Sequence, residues 1–211
     1  MSATVVRFNE VSSIRPSQVY LDTSIIIWAF YEYPIYQRKS KNISGDELKR
    51  SQTATTVYHF VDSLLGWDTR CCISLLAFEE AFNKVRRLVR DRKVTERGLP
   101  KDITDKELRS DHNEIWKDYL SKSRLQVETL NTRILNHNLY ILAPNSQDVA
   151  SIVARVQGLH QRYCLDMADY FHLAIGMQFG INQFVTTDGP WQQVDEIIVY
   201  ADRHRREWLT P

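Results

Sequence analysis

Val19-Tyr20-Leu21-Asp22-Thr23-Ser24-Ile25-Ile26-Ile27 is the stretch on which the reading of the fold turns. A short apolar, β-prone run ends on an acid and two hydroxyl residues, and apolar positions then resume as far as Phe30. A strand closed by polar residues that cap the next helix fits this text. The alternation returns downstream. Cys71-Cys72-Ile73 is a second short strand, and after Ser74 the residues Phe78, Ala81, Phe82 and Val85 make one helical stripe. Leu139-Tyr140-Ile141-Leu142, Phe184-Val185-Thr186 and Ile197-Ile198-Val199-Tyr200 read as further strands, about five in all. Helical spacing separates them at 54–65, 149–156 and 167–180. Strands alternating with helices imply right-handed crossovers, and hence an α/β fold of three layers (α/β/α) around a mostly parallel sheet.

The 211 residues suit one domain, with the charged amphipathic stretch 86–136 as a helical insertion within it. Hydrophobic residues at 43% and charged residues at 25% describe a globular chain, and only seven glycines and six prolines speak against a turn-rich sandwich or barrel. Lys+Arg at 27 against Asp+Glu at 26 gives a net charge of +1, so nucleic-acid contact must come from local patches. The longest apolar run, Ile25 to Tyr31, is far shorter than the ~20 residues that span a bilayer. The opening MSATVVRFNE carries no basic leader or long apolar stretch, and the three cysteines (Cys71, Cys72, Cys164) have no metal-ligand spacing. These features predict a cytoplasmic protein.

In a parallel sheet, ligands bind outside the carboxyl ends of the strands. Acids fall there repeatedly. Asp22 follows the first strand and Asp188 the fourth; Glu79 and Glu80 open the helix after the second, and Asp166 and Asp169 open the helix before the fourth. One such acid is ordinarily a cap or turn residue. Four converging from distant positions would repel one another unless a cation neutralised them, and oxygen-only ligands select Mg2+ or Mn2+ over zinc. Such ions serve phosphate chemistry.

Leu21-Asp22-Thr23-Ser24 after a strand resembles the opening of a PIN domain, the fold of VapC-type toxin ribonucleases. Ser74-Leu75-Leu76-Ala77-Phe78-Glu79-Glu80 is similar to that family's second motif, a glutamate six positions after a serine, which selects Glu80 and keeps Glu79 as an alternate. Asp169-Tyr170-Phe171-His172-Leu173-Ala174 resembles the third motif, and Phe184-Val185-Thr186-Thr187-Asp188-Gly189-Pro190-Trp191 the fourth. The set is in family order and spans residues 19–191. The resemblance implies an endoribonuclease in which Asp22, Glu80, Asp169 and Asp188 are catalytic and hold Mg2+ or Mn2+, with Asp166 as a further alternate. It also implies 5′-phosphate and 3′-hydroxyl products, a homodimer, and a small antitoxin protein as partner. The length of 86–136 and the doubled acids at 79/80 and 166/169 depart from the family pattern.

Around these acids, Ser24 and Thr187 are the hydroxyl residues expected to hydrogen-bond the carboxylates from behind, with Thr23 and Thr186 beside them. His172 reads as a packed histidine and Trp191 as a hydrophobic lid on the sheet. The segment 84–97 holds seven Lys/Arg against two acids; Arg86, Arg90 and Lys93 share a face by spacing and are the expected RNA phosphate contacts. Arg38-Lys39-Ser40-Lys41 forms a second basic cluster. A phospho-aspartate phosphatase needs a second aspartate where Ser24 stands, and the glycine-rich phosphate loops GxxxxGK[ST] and GxGxxG are absent. The alternative from another class is a non-catalytic RNA-binding scaffold of PIN fold, which would be expected to lose some of the four acids.

Overall fold

The computed structural model describes residues 3–10, 15–38 and 45–202, so Lys39, Ser40 and Lys41 of the second basic cluster lie outside the described residues. The strands are β1 (Thr4–Arg7), β2 (Gln18–Leu21), β3 (Arg70–Ser74), β4 (Tyr140–Leu142), β5 (Gln183–Val185) and β6 (Ile198–Ala201). They form one sheet in the order β1-β6-β5-β2-β3-β4, and every pairing is parallel. The α/β expectation therefore stands, with one strand more than the sequence announced. β1 is four residues at the sheet edge, paired only with β6, and too short to show a period against the polar residues that follow it.

The period of two along each strand builds two cores. Val19 and Leu21 face one side with Cys71, Ile73 and Val185; Tyr20 faces the other with Cys72, Phe184 and Val199. On the first side lie α1 (Thr23–Ile26), a π-helical turn (Ile27–Glu32), α3 (Asp46–Gly66), α4 (Leu75–Glu96) and α6 (Asn113–Asn136), following α2 (Tyr33–Arg38) and α5 (Asp105–Asp111) in the chain where their order requires. On the second lie α7 (Ser146–Arg162) and α8 (Met167–Gln178). Such two-sided cover is what near-continuously apolar parallel strands require.

Residue 86, where the sequence predicts a helical insertion to begin, falls within a continuous helix. α4 runs unbroken from Leu75 to Glu96, capped by Ser74, whose Oγ accepts from the Ala77 N–H at 3.1 Å. Only the segment after it, α5 and α6, is added to the layer, and α6 packs along α4. Among the described residues no helix is long and apolar enough to cross a membrane.

Chain direction places the site. From β2 the chain moves outward through β3 to β4, whereas β5 and β6 return on the opposite flank. The order thus reverses between β2 and β5, which is where open α/β sheets form their crevice. Gly176 closes this region from below. A Cβ there would stand 2.6 Å from Phe184 Cε1, and that ring is fully buried, 5.7 Å from the Trp191 ring and 5.5 Å from that of Tyr20. Gly176→Ala is expected to destabilise the fold by about 1–3 kcal/mol despite alanine's better helix propensity, read as a lower urea midpoint. An unchanged midpoint would mean that the Phe184 ring has room to move.

Candidate active site

Asp22 leaves β2 at the reversal point and caps α1. It is 3% exposed, and its carboxylate accepts from Thr23 N at 2.6 Å, Ser24 Oγ at 2.7 Å and Thr186 Oγ1 at 2.9 Å. Burying a polar group this deeply costs free energy unless such donors satisfy it. Thr186 also accepts from the Asp188 N–H at 2.9 Å, and Ser24 from the Thr187 N–H at 3.2 Å. The Thr186–Asp22 and Thr187–Ser24 bonds lace the turn after β5 to the start of α1. Ser24 thus acts as expected, while Thr187 contributes its backbone and Thr186 makes the side-chain bond to Asp22.

Glu80 is set on the second turn of α4. Its Oε2 accepts from Thr23 Oγ1 at 2.7 Å and pairs with His172 Nε2 at 2.8 Å. These partners hold its carboxyl below the usual range, the histidine bond contributing most. Glu79, one residue and about 100° away on the helix, is exposed and does not line the cleft. The histidine is itself the middle of a chain: its Nδ1 meets Tyr20 OH at 2.7 Å, and Tyr20 OH meets Ser74 Oγ at 2.7 Å. With Ser74 donating to Tyr20 and Tyr20 to Nδ1, the neutral ring carries its proton on Nε2 and presents it to Glu80. Burial opposes charge on His172, but Glu80, Asp22 and Asp169 outweigh it and raise its pKa above the ordinary value. His172 is therefore packed, as expected, and also orients Glu80.

Asp169 opens α8 and Asp188 follows β5, and both face the same cleft of about 830 Å3 as Asp22 and Glu80. Partial burial raises the Asp169 carboxyl, with Asp22 adding to the effect. The cleft walls strip water from Asp188, and Asp22 and Asp169 repel its charge, so its carboxyl is pushed up to about 7. Asp166 is exposed at the α8 N-terminus, outside the cleft lining, and reaches the site only by adding to that repulsion. Trp191 is fully buried against Phe184 and His172, as a lid would be.

Six acids line the cleft (Asp22, Glu32, Glu80, Asp169, Asp188, Asp202), against the cations Arg50, Lys84 and Arg87. Among the described residues no three His, Cys, Asp or Glu side chains form a ready-made metal-binding group as they stand. The donor chemistry nonetheless fits a hard divalent cation: carboxylate oxygens are in excess, and one is driven toward protonation by the others. The expected phosphate contacts fall elsewhere. Arg90 donates to Asp105 and to the Ile103 carbonyl, and Lys93 pairs with Glu96 at 2.6 Å and Asp118 at 3.3 Å, leaving their side chains only 15% and 11% exposed. Together with Arg86 they lie on the α4 face turned away from the cleft, where α5 and α6 supply the counter-charges. The cleft face of the same helix carries Glu80, Lys84 and Arg87.

The raised Asp188 carboxyl predicts a signed pH effect. A carboxyl with a folded pKa near 7 and an unfolded value near 3.9 costs the fold nothing below pH ~4, progressively more up to about 7, and a constant amount above it. In chelator, Asp188→Asn should match wild type in melting temperature at pH 4 and exceed it at pH 8, and added Mn2+ should narrow the gap. A pH-independent difference would show that the acids do not repel. No protein-family model, curated protein or solved structure matches the chain, so the reading of the cleft rests on its own residues.

Proposed function

We propose that the chain is a metal-dependent endoribonuclease of PIN type, hydrolysing RNA phosphodiester bonds with Mg2+ or Mn2+ held by Asp22, Glu80, Asp169 and Asp188. The observation that supports this reading most is that these four acids, from four separate stretches of sequence, line one cleft at the reversal point of the sheet. Asp22 and Glu80 have their orientations locked by five hydrogen bonds between them, which keeps both aimed into the cleft. Burial raises the carboxyls of both Asp169 and Asp188, with repulsion from Asp22 adding to it, so both gain from a bound cation. A divalent ion supplies Lewis-acid polarisation of the phosphate and of the attacking water. Lys84 and Arg87 stand in the same cleft, available to a phosphate backbone. On this reading the partners are the RNA substrate, a second copy of the chain and a small antitoxin protein.

Metal-dependent cleavage of a single-stranded RNA tests it. Asp22→Asn and Glu80→Gln should each lower the rate by about 100-fold or more, since even residues behind a metal's ligands cost 10–100-fold. Both should remain folded by circular dichroism. Glu79→Gln should retain most activity. Wild-type protein that binds RNA in Mn2+ without cutting it would instead favour the scaffold reading.

A further inference from the structure

The cleft does not end at the acids. The π-helical turn Ile27–Glu32 widens the backbone directly after α1, the Tyr33 N–H reaching back to the Trp28 carbonyl. Such turns cluster at functional sites. Here it buries Glu32 completely, yet the carboxylate stays paired: Oε1 accepts from Arg50 Nη2 at 2.8 Å, and Oε2 lies 3.7 Å from Arg92 Nη2. Arg50 comes from α3 and Arg92 from α4, so one buried anion draws together guanidinium groups of two helices. Each also rests against an aromatic ring of the π-helical turn. Arg50 lies 5.7 Å from the Trp28 centroid and Arg92 5.6 Å from that of Tyr31, whose hydroxyl accepts from Arg92 Nη1 at 3.3 Å.

Two guanidinium charges against one carboxylate leave one positive charge, on side chains 45% and 43% exposed. Their geometry is fixed before any ligand arrives, which lowers the ordering cost of binding an anion. Position gives the ligand. Arg50 lines both the acidic cleft and a second cavity of about 730 Å3, and Leu88 is the other residue common to both. One face of α4 runs the length of the two: Glu80, Lys84, Arg87 and Leu88 line the first, Leu88 and Arg92 the second. From Glu80 to Arg92 that face rises about 18 Å. Beyond the arginine pair the second cavity is lined by three acids, Glu47, Asp91 and Glu96, against the single cation Lys101, so phosphate is favoured at the pair. Trp28 stands partly exposed in the wall of the first cavity, a surface on which an unpaired base can stack.

We infer that the Glu32-anchored pair Arg50 and Arg92 is a phosphate subsite for the backbone of single-stranded RNA, remote from the cleaved bond and reached along α4. This rests on the nuclease reading for the identity of the strand. It differs from the sequence expectation in its residues, because Arg90 and Lys93 are held by α5 and α6 whereas Arg50 was not among the expected contacts.

The test is fluorescence anisotropy of a labelled single-stranded oligoribonucleotide in Mg2+, with Asp188→Asn as the parent so that the strand stays whole. Arg50→Gln and Arg92→Gln should each weaken binding and reduce the slope of log affinity against log salt by about 0.7. The double variant should lose about 1.4. Arg86→Gln, on the far face of α4, should leave the slope unchanged. Because each single variant thins the compensation of buried Glu32, the triple Glu32→Gln/Arg50→Gln/Arg92→Gln removes the constellation without orphaning a charge, and should show the same loss as the double. An unlabelled duplex of the same sequence should compete poorly. Folded variants with the parental slope would overturn the subsite, and so would equal competition by the duplex. If wild type fails to cleave RNA while the slopes fall as expected, the nuclease reading is lost and the subsite stands; cleavage with unmoved slopes rejects the subsite alone.

Discussion

A buried carboxyl group at the point where the sheet order reverses, Asp22, is the constraint around which the rest of the cleft is arranged. Asp22 is 3% exposed, so its charge needs donors on every free lone pair, and each donor has consequences. Thr23 and Ser24 must follow it at once, which sets the helix start. Thr186 directly follows β5, and its bond to Asp22 ties the end of that strand beside β2. The same threonine takes the Asp188 N–H, so the donor that stabilises one acid positions the next. Thr23 gives its backbone N–H to Asp22, the cap of α1, and turns its hydroxyl to Glu80, which draws α4 into the group. Acids that repel one another are thus tethered through neutral hydroxyls, which hold position without removing charge.

That economy explains which parts of the site were legible in the sequence. Asp22 could be read because its strand, its cap and its two hydroxyl neighbours are contiguous, and local order is what a sequence displays. Asp188 was legible for the same reason, two residues after Thr186. Between Glu79 and Glu80, motif spacing pointed to Glu80 and kept Glu79 as an alternate; the contacts that set them apart come from Thr23 and His172, residues distant in sequence. Thr187 was named with Ser24 as a hydroxyl partner of the carboxylates, but it is the adjacent Thr186 whose hydroxyl reaches Asp22, a choice between neighbours that the sequence does not display. β1 was missed because four residues paired on one side carry too short a pattern to register.

The basic residues of α4 show a different limit. Periodicity sorts a helix into faces but does not say what each face meets. Lys84 and Arg87 share a face with Glu80, whereas Arg86, Arg90 and Lys93 share another, and from the sequence either could border the cleft. The decision is made by the segment after Glu96. It returns as α5 and α6 with Asp105 and Asp118 placed opposite Arg90 and Lys93, and a cation so engaged is no longer available to a phosphate. An insertion that looked peripheral in the sequence therefore selects which half of the α4 charge remains in play.

The π-helical turn extends this logic to the first side of the cleft. An ordinary helix continuing from α1 would turn about 100° per residue and carry Glu32 to a different azimuth. The wider turn sets Glu32 inward among residues that are otherwise apolar, Phe30 and Tyr31 included, where an unpaired carboxylate could not remain. Arg50 and Arg92 are the groups that make its burial tolerable, and they approach from the two helices that frame the cleft. Opposite Asp22, then, an arginine pair is organised by a buried acid just as the acids are organised by buried hydroxyls. The two ends carry opposite charge and are held by separate hydrogen-bond networks, so the arginine end can be altered without disturbing the acidic end.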